Sequence, residues 1–379
     1  MSVGTIDEER QQIRALAREF AEGELRPNVE RWDAGRVLDD DVLAQLAELG
    51  FFGMLVPEAY GGLGFDAATY LAALEELAWG EPTVALTLSI HSAFGVNLLL
   101  AHGTDAQQER WLGPLAAGER IACFALSEPQ AGSDAAAVRT RAERDGDGWV
   151  LNGTKRWVTN GRVAGLGVVI ARTDSPEEPR GANGLGAFLV PTETDGWEIG
   201  EREPTMGLRP AEIVTVTLRD LRLPEDALLG DASRGFAYAM QGLDLGRLGI
   251  AAQAVGIARA ALEHAIGYAD ERRQFDRPIR EFEGIQFKLA EMATRVEAAR
   301  ALLDRAAAER STGAASMAKL FASETAMWVT TQAVQIFGGY GYMRDYPVEK
   351  LMRDAKATEI YEGANEIQRV VIARELYRE

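Results

Sequence analysis

Glu362 lies between Tyr361 and Gly363, and its role is the first chemical question that the sequence raises. In the stretch EIYEGANEIQRV, Asn365 is a good N-cap residue, and Gln368 three positions later approximates a capping box. The apolar spacing that follows predicts a helix from about Asn365 almost to the end of the sequence. The simplest role for Glu362 is then an exposed carboxylate that stabilises the helix dipole, next to a glycine that tolerates unusual backbone angles.

Residues for most other catalytic chemistries are scarce. The histidines, His91, His102 and His264, lack metal-ligand spacing, and Cys123 is the one cysteine, so no zinc site and no intrachain disulfide is predicted. Nucleophile-elbow and P-loop motifs are absent, and GLGAF at Gly184 is followed by a strand-like run instead of a helix. An enzyme with this composition would have to use carboxylates and a bound cofactor.

Composition narrows the class of protein further. The 379 residues include 47% hydrophobic ones and carry a net charge of −18, which argues against binding to nucleic acid. The sequence contains no run of 18 apolar residues, so no membrane span is predicted. The start, MSVGTIDEER, resembles neither a signal nor a transit peptide, and a single cysteine fits a reducing compartment, so we expect a cytoplasmic protein.

Three regions follow one another along the chain. Residues 1–120 have apolar residues at helical spacing, as in EERQQIRALAREF. Residues 121–230 contain short β-rich segments such as GWVLNGTKRWVTNG and IVTVTLRDLRL with tight-turn signals, which indicates an antiparallel β-barrel or sandwich. Residues 231–379 return to long helices. This order differs from the alternation of a parallel-sheet nucleotide fold, so we expect ligands in clefts between the regions.

The last region is predicted to be a four-helix bundle. Two segments within residues 236–303 have apolar seams at helical spacing, SMAKLFASETAMWVTTQAVQIF is a third helix, and the helix after Asn365 is the fourth. The third is apolar on more than one face, which suggests an interior position or a neighbouring subunit.

Five motif blocks follow one another along the chain: CFALSEPQAGSD, NGTKRWVTNG, LDLGRLGIAAQAVGIA, ERRQFDRPI and QIFGGYGYMRDYPVEKLMRDAKATEIYEGANEIQR. Together and in this order they resemble the acyl-CoA dehydrogenase family, and the resemblance covers essentially the whole chain. The resemblance is closest to short-chain, straight-acyl members. It implies non-covalent FAD, desaturation of an acyl-CoA to the trans-2-enoyl-CoA in fatty acid β-oxidation, electron transfer to an electron-transferring flavoprotein, and a homo-oligomer, usually a tetramer.

The resemblance changes the interpretation of Glu362, which matches the family's catalytic base in a Y-E-G context. This base removes the α-proton while a hydride leaves the β-carbon for flavin N5. Some relatives place the base on a bundle helix, but the matching residue here is Gly246, which cannot serve. The family stabilises the developing enolate with a ribityl hydroxyl of the flavin and the backbone N–H of the base. Burial beside the acyl chain and flavin is expected to raise the pKa of the carboxyl group.

Flavin contacts are also implied by the resemblance. Trp157 would lie against the isoalloxazine ring and Thr159 would donate to N5, although the segment also reads as an ordinary strand. Ser127 would contact the ring, or simply form a turn before Pro129. The full set of residues that the resemblance assigns to the cofactor is Phe124, Leu126, Ser127, Gly132, Ser133, Trp157, Thr159, Arg272, Phe275, Gln335, Gly338, Gly339, Ala364 and Glu366.

The far half of FAD would be held across a dimer interface. Arg272 would bind the pyrophosphate and Phe275 the adenine, while a neighbouring subunit would contribute residues 335–339. The alternative is a helix end with a basic residue and a glycine cap. Ala364 departs from relatives that have a hydroxyl there, which is expected to remove one hydrogen bond to the cofactor.

Substrate contacts are implied for Ser133, Asp244, Arg247, Tyr361 and Gly363. Ser133 would contact the pantetheine, or cap a helix instead. Asp244 and Arg247 would face the CoA chain, but their i, i+3 spacing is also that of a plain helix salt bridge, and both can hold.

Alternative functions remain open from the sequence. A short branched-chain acyl-CoA is the alternative substrate to a short or medium straight chain. An acyl-CoA oxidase would give electrons to oxygen, but such chains are usually longer. A non-catalytic, dehydrogenase-like binding protein is a third option, although the charge of −18 and an intact Glu362 weigh against it.

Overall fold

The computed structural model describes residues 3–175, 177 and 180–377, and it confirms the predicted fold class of a helical region, a central sheet and a helical bundle. Domain boundaries at residues 120 and 230 stay predictions. The N-terminal helices are α1 Val3–Phe20, α2 Val29–Gly35, α3 Asp40–Glu48, α4 Ala67–Gly80, α5 Pro82–Ile90, α6 Asn97–His102 and α7 Asp105–Ala116. A π-helical turn, His91–Val96, joins α5 to α6.

Side-chain caps define where several of these helices begin. Asp66 accepts a hydrogen bond from the Thr69 amide at the start of α4, 2.7 Å away. Thr104 and Gln107 form a complete capping box at α7, which satisfies amides that have no partner within the helix.

The central region is one mixed sheet. Within the described residues, its strands are β1 Ile121–Ala125, β2 Arg141–Asp145, β3 Gly148–Val158, β4 Ala164–Arg172, β5 Leu185–Pro191, β6 Trp197–Arg202, β7 Val214–Leu223 and β8 Leu228–Leu229. The order is β6-β7-β3-β2-β4-β5-β8, with β1 paired to β4. Most neighbours are antiparallel, as expected, but β4 runs parallel to β1 and β2.

The helical region that follows contains one more long helix than the sequence predicted. It comprises α8 Gly235–Glu271, the short strands β9 Arg273–Gln274 and β10 Arg277–Pro278, then α9 Glu283–Glu309, α10 Thr312–Phe337, α11 Pro347–Thr358 and α12 Asn365–Glu375. The unpredicted helix is α11, which starts with a proline at its first turn and is supported by i, i+4 ion pairs such as Lys350–Asp354.

Helix α10 occupies an interior position, one of the two explanations offered for its wide apolar surface. It packs against α8, α9, α11 and α12. The 37-residue helix α8 is equally central and contacts α4, α5, α9 and α11. Pro82–His102 and Gly235–Glu271 are apolar and long enough to span a membrane, but 83% and 89% of their apolar windows are buried in this fold.

Buried side chains form a continuous junction where the three regions meet. One cluster lies between the N-terminal helices and the bundle and includes Tyr70, Leu74 and Val255. A second joins the π-helical turn, the sheet and α8 through Phe94 and Ile250. Cys123 is buried within the sheet's own cluster, where burial raises the pKa of its thiol to about 12, as expected for a residue that fills core.

Candidate active site

Glu362 lies on the loop between α11 and α12, as predicted, but it is not an exposed helix-start carboxylate. Its backbone is left-handed (φ 53°), and the next residue, Gly363, has φ 90°. The carboxylate oxygen Oε2 is buried and has no hydrogen-bond partner among the described residues. A left-handed non-glycine residue is uncommon and strained, and such residues concentrate at functional sites.

The Glu362 carboxylate packs against the bare backbone of Gly246 on α8. A Cβ atom at Gly246 would lie 2.5 Å from Glu362 Oε2 and 3.0 Å from its Cδ. A side chain at position 246 and a carboxylate from position 362 therefore compete for the same space. The absence of a side chain at Gly246 therefore leaves the room that the Glu362 carboxylate occupies.

A methyl group at position 246 is expected to displace the Glu362 carboxylate without unfolding the protein. Gly246→Ala should lower the rate of the α-proton abstraction that the resemblance assigns to Glu362 by about 100-fold, the order of loss for a misplacement near 1 Å, while thermal stability holds because the flexible end of Glu362 can move. Single-turnover kinetics and a melting curve measure the two effects. Gly267→Ala is the matched control on α8, since a Cβ there meets no atom within 4 Å. Equal rates for both variants would contradict the assigned contact.

Burial raises the pKa of Glu362 to about 7, although Arg247 and Lys319 act in the opposite direction. The cause is the loss of water around the carboxylate, which penalises its charged form. A carboxyl group that titrates near neutrality is well matched to accept a proton and release it again.

Arg247 and Asp244 form the salt bridge that their spacing predicted, with Arg247 Nη1 2.7 Å from Asp244 Oδ1. Thr312 Oγ1 donates to the other carboxylate oxygen of Asp244, also at 2.7 Å. Arg247 is buried, and its Nε has no partner among the described residues. A buried guanidinium N–H without a partner is a candidate donor for a ligand.

Asn365 is not the helix cap that the sequence predicted. The N-cap position of α12 is Ala364, and no side chain caps the helix there. Asn365 Oδ1 instead accepts hydrogen bonds from Lys319 Nζ (2.9 Å) and Ser323 Oγ (3.1 Å) on α10. Gln368 does not complete a capping box either, since its amide donates to the Glu362 and Gly363 carbonyls. Both side chains therefore form hydrogen bonds outside the predicted capping box.

Tyr361 points away from the solvent and into the junction. Its hydroxyl donates to Gln253 Oε1 on α8 at 2.5 Å, and Gln253 in turn donates to the Pro82 carbonyl at 2.7 Å. Its aromatic ring packs on the cluster that contains Phe94. Tyr361 therefore anchors the loop that bears Glu362, whereas Glu366 is exposed on α12.

Phe94 links the Glu362 side of the site to the end of strand β1. It lies against the Gly246 position, at 3.4 Å from a Cβ built there, and its ring stacks on Phe124 with centroids 4.0 Å apart. The candidates Phe124, Leu126 and Ser127 thus lie on the neighbouring side of the same junction as Glu362.

A buried ion pair between Lys155 and Glu128 fixes the segment from Leu126 to Glu128. Lys155 Nζ is 2.8 Å from Glu128 Oε1 and donates to the Leu126 carbonyl at 3.0 Å. The Ser127 carbonyl accepts from the Arg156 amide at 2.9 Å. These bonds tie the segment to β3, the strand that carries Trp157.

Trp157 is 52% exposed and left-handed (φ 56°), while Thr159 two residues later is buried. Asn160, also left-handed, donates to the carbonyls of Thr87 and Ala122 at 3.0 and 3.1 Å, which fixes this turn against the N-terminal helices. A large aromatic ring held in a strained backbone and left open to solvent is a candidate ligand contact.

Gly132 and Ser133 are exposed beyond this segment. The alternative interpretation of Ser133 as a helix cap is wrong, because the N-cap of the short 3-10 helix Ala135–Ala137 is Asp134 and no side chain caps it.

A separate groove of about 500 Å³ lies where α8 and α10 end. Arg272, Gly338 and Gly339 line it, and Arg272 lies over the Tyr340 ring at 5.3 Å. Nearby, Phe275 is 89% exposed. Gln335 is exposed on the last turn of α10, where its carbonyl accepts from the Gly338 amide. None of the candidates around Glu362 lines this groove.

The sequence did not point to two buried lysines that shape the site, Lys319 and Lys155. A lysine inside an apolar helical face is a visible signal for Lys319, but its partners are distant in sequence. His91 is buried, and its Nδ1 accepts from the Ala122 amide at 3.1 Å, so its ring is part of the core. Among the side chains that the structure describes, no group of three His, Cys, Asp or Glu residues could hold a metal ion.

Comparisons with known proteins agree with this architecture. Models of the acyl-CoA dehydrogenase N-terminal, middle and C-terminal domains match residues 7–119, 123–221 and 233–377. The mitochondrial short-chain specific acyl-CoA dehydrogenase of Rattus norvegicus is 43% identical, with 98% of this chain and 91% of the relative covered.

Two solved structures are similarly close. The butyryl-CoA dehydrogenase of Megasphaera elsdenii superposes with a TM-score of 0.95 at 41% identity, covering 98% of both chains. A chain in a structure described as the electron transferring flavoprotein of Acidaminococcus fermentans also gives 0.95, at 43% identity and the same coverage.

Proposed function

Because this chain belongs to the acyl-CoA dehydrogenase family, we propose that Glu362 is the base that removes the α-proton of a short- or medium-chain acyl-CoA. The observation that carries the assignment is the buried Oε2 of Glu362, which has no partner among the described residues and lies against Gly246. A carboxylate in this state is free to receive a proton, whereas one engaged in an ion pair would first have to break it. The alternative base position, Gly246, has no side chain.

Three further features around the Glu362 carboxylate support proton abstraction: the Glu362 amide, the charge of Arg247 and the burial of the site. The family resemblance assigns stabilisation of the developing enolate to the backbone N–H of Glu362, which belongs to the left-handed turn at Glu362 and Gly363. Arg247 supplies a nearby positive charge and a free Nε–H for the CoA chain. Burial keeps water from the carboxylate and raises its pKa to about 7, so the base can gain and lose its proton near neutral pH.

The residues also fit a flavin dinucleotide, which we propose is FAD. Trp157 offers an open aromatic face, and the Thr159 hydroxyl follows it on the same turn. The separate groove provides a guanidinium from Arg272 and two glycines, Gly338 and Gly339, where an added Cβ would meet nothing within 4 Å. We assign the ring system of the ligand to Trp157 and its diphosphate to Arg272 across a dimer interface, since a guanidinium suits a diphosphate. When bound, the flavin supplies the acceptor for the hydride from the substrate β-carbon.

The proposal also covers the acyl-CoA substrate, the electron acceptor, the oligomeric state and the cellular location. The relative of known structure from Megasphaera elsdenii is a butyryl-CoA dehydrogenase, which supports a short straight-chain acyl-CoA as substrate. The match to a chain from the Acidaminococcus fermentans structure supports an electron-transferring flavoprotein as acceptor. We also propose a homotetramer, with the exposed Phe275 at a subunit contact, and a cytoplasmic location.

The proposed function is tested by mixing the purified protein, without oxygen, with straight acyl-CoAs of increasing length and a short branched acyl-CoA. We expect a yellow protein whose released cofactor has the mass of FAD, and loss of the flavin absorbance fastest with a short straight chain. FMN in place of FAD would overturn the cofactor assignment, and a fastest reaction with the branched chain would overturn the substrate. Rapid reoxidation by oxygen would indicate an acyl-CoA oxidase.

A further inference from the structure

A buried lysine on α10, Lys319, forms hydrogen bonds to the loop that bears Glu362. Lys319 on α10 has no exposed surface, and its Nζ donates to the Gly363 carbonyl and to Asn365 Oδ1, each at 2.9 Å. Ser323, one turn further along α10, donates to the same Asn365 oxygen at 3.1 Å. Two side chains of helix α10 therefore form hydrogen bonds to the loop immediately after Glu362.

A second set of bonds comes from α12. Gln368 Nε2 donates to the Glu362 carbonyl at 3.1 Å and to the Gly363 carbonyl at 2.8 Å. A Cβ at Gly363 would lie 2.6 Å from this nitrogen, so glycine permits the contact. Both left-handed residues thus have their carbonyl oxygens fixed by side chains, and Gly363 is held by two elements at once.

We propose that Lys319 is a positioning residue for the base: its ammonium, bonded to Gly363 and Asn365, holds the left-handed turn that places the Glu362 carboxylate against Gly246. The inference rests on the proposed role of Glu362. A left-handed glutamate persists only where surrounding contacts determine its conformation, and these are the contacts that the structure provides. Without them the backbone can relax, and the carboxylate moves with it.

The charge of Lys319 also acts on the base. The charged and titratable groups around the loop are Tyr70 on α4, Asp244 and Arg247 on α8, Lys319 on α10, Glu359, Tyr361 and Glu362 on the loop segment, and Glu366 and Arg374 on α12. Burial lowers the pKa of the Lys319 ammonium, whereas the carboxylates of Glu362 and Glu359 raise it and so favour the charged form that bonds to the loop. The ammonium in turn favours the carboxylate form of Glu362, so its removal should raise the pKa of Glu362 further.

The test follows α-proton exchange in a 3-thia acyl-CoA, which has no hydrogen on its third atom and so can be deprotonated but cannot lose a hydride. Loss of α-deuterium to solvent is measured against pH in the holoenzyme. In the wild type the rate should rise with pH through about 7, because Glu362 must be deprotonated. In Lys319→Met we expect a limiting rate lower by about 10- to 100-fold and a midpoint about one unit higher.

Companion variants separate position from charge. Lys319→Arg should restore the midpoint, and Gln368→Met should lower the rate without moving the midpoint, since it removes two donors and no charge. Lys356→Met, an exposed lysine paired with Glu359, is the control and should leave both unchanged. Amide hydrogen exchange in residues 359–366 should accelerate in Lys319→Met and not in Lys356→Met.

An unchanged rate and midpoint in folded Lys319→Met would overturn the inference. If that variant does not fold, an unchanged rate in Gln368→Met would do so, and a slowed rate would support it. Absence of exchange in the wild type is a different result, because it removes the proposed function itself.

Discussion

Glu362→Gln is expected to fold and bind flavin as the wild type does, and to remove the substrate α-proton roughly 10²- to 10⁴-fold more slowly or worse. The amide keeps the shape of the side chain against Gly246 but cannot accept the proton. Acyl-CoA binding should change little, because Arg247 and the rest of the pocket are untouched. The loss should therefore appear in kcat and in single-turnover reduction of the flavin, with a nearly constant substrate affinity.

Anaerobic stopped-flow mixing with the best acyl-CoA measures this effect. Glu297→Gln is the matched control, since it makes the same carboxylate-to-amide change on α9, where the side chain is 70% exposed and no candidate site residue lies. Flavin reduction near the wild-type rate in Glu362→Gln would mean that the base lies elsewhere and that Glu362 has only a structural role.

Lys350→Met is expected to give the largest loss of stability. Lys350 Nζ lies 2.9 Å from Glu81 Oε2 and 2.6 Å from Asp354 Oδ2, and all three side chains are almost completely buried. Asp354 also accepts from the Leu208 amide at 2.6 Å, and Glu81 from the Thr83 amide at 3.0 Å. The cluster thus ties α11 to α5 and to the loop before β7.

Removal of the ammonium would leave two buried carboxylates without their cation. Breaking a buried ion pair in this way costs about 3–5 kcal/mol, so the denaturation midpoint should fall by several degrees. Lys356→Met tests the same substitution on the same helix, where the pair with Glu359 is exposed and worth at most about 1 kcal/mol. Similar midpoints for the two variants would show that the buried cluster contributes no more than a surface pair.

The order of the three regions was determined by the sequence itself, because apolar spacing differs between helices and strands and is a local property. The same holds for the salt bridge between Asp244 and Arg247, whose partners are three residues apart on one helix. It also holds for the place of Glu362 directly before the last helix.

Other features were decided only by the tertiary structure. Asn365 and Gln368 have the residue types of a capping box, yet Asn365 is bonded to Lys319, 46 residues away, and Gln368 turns back to the loop. A local motif predicts what a segment does when isolated, whereas a buried ammonium must find oxygen partners wherever the fold brings them. The burial of the Glu362 carboxylate against Gly246 arises in the same way, since it depends on α8 and the loop before α12 meeting in space. The spacing of residues along the chain does not predict that contact. The burial that comes with it raises the pKa of Glu362 to about 7.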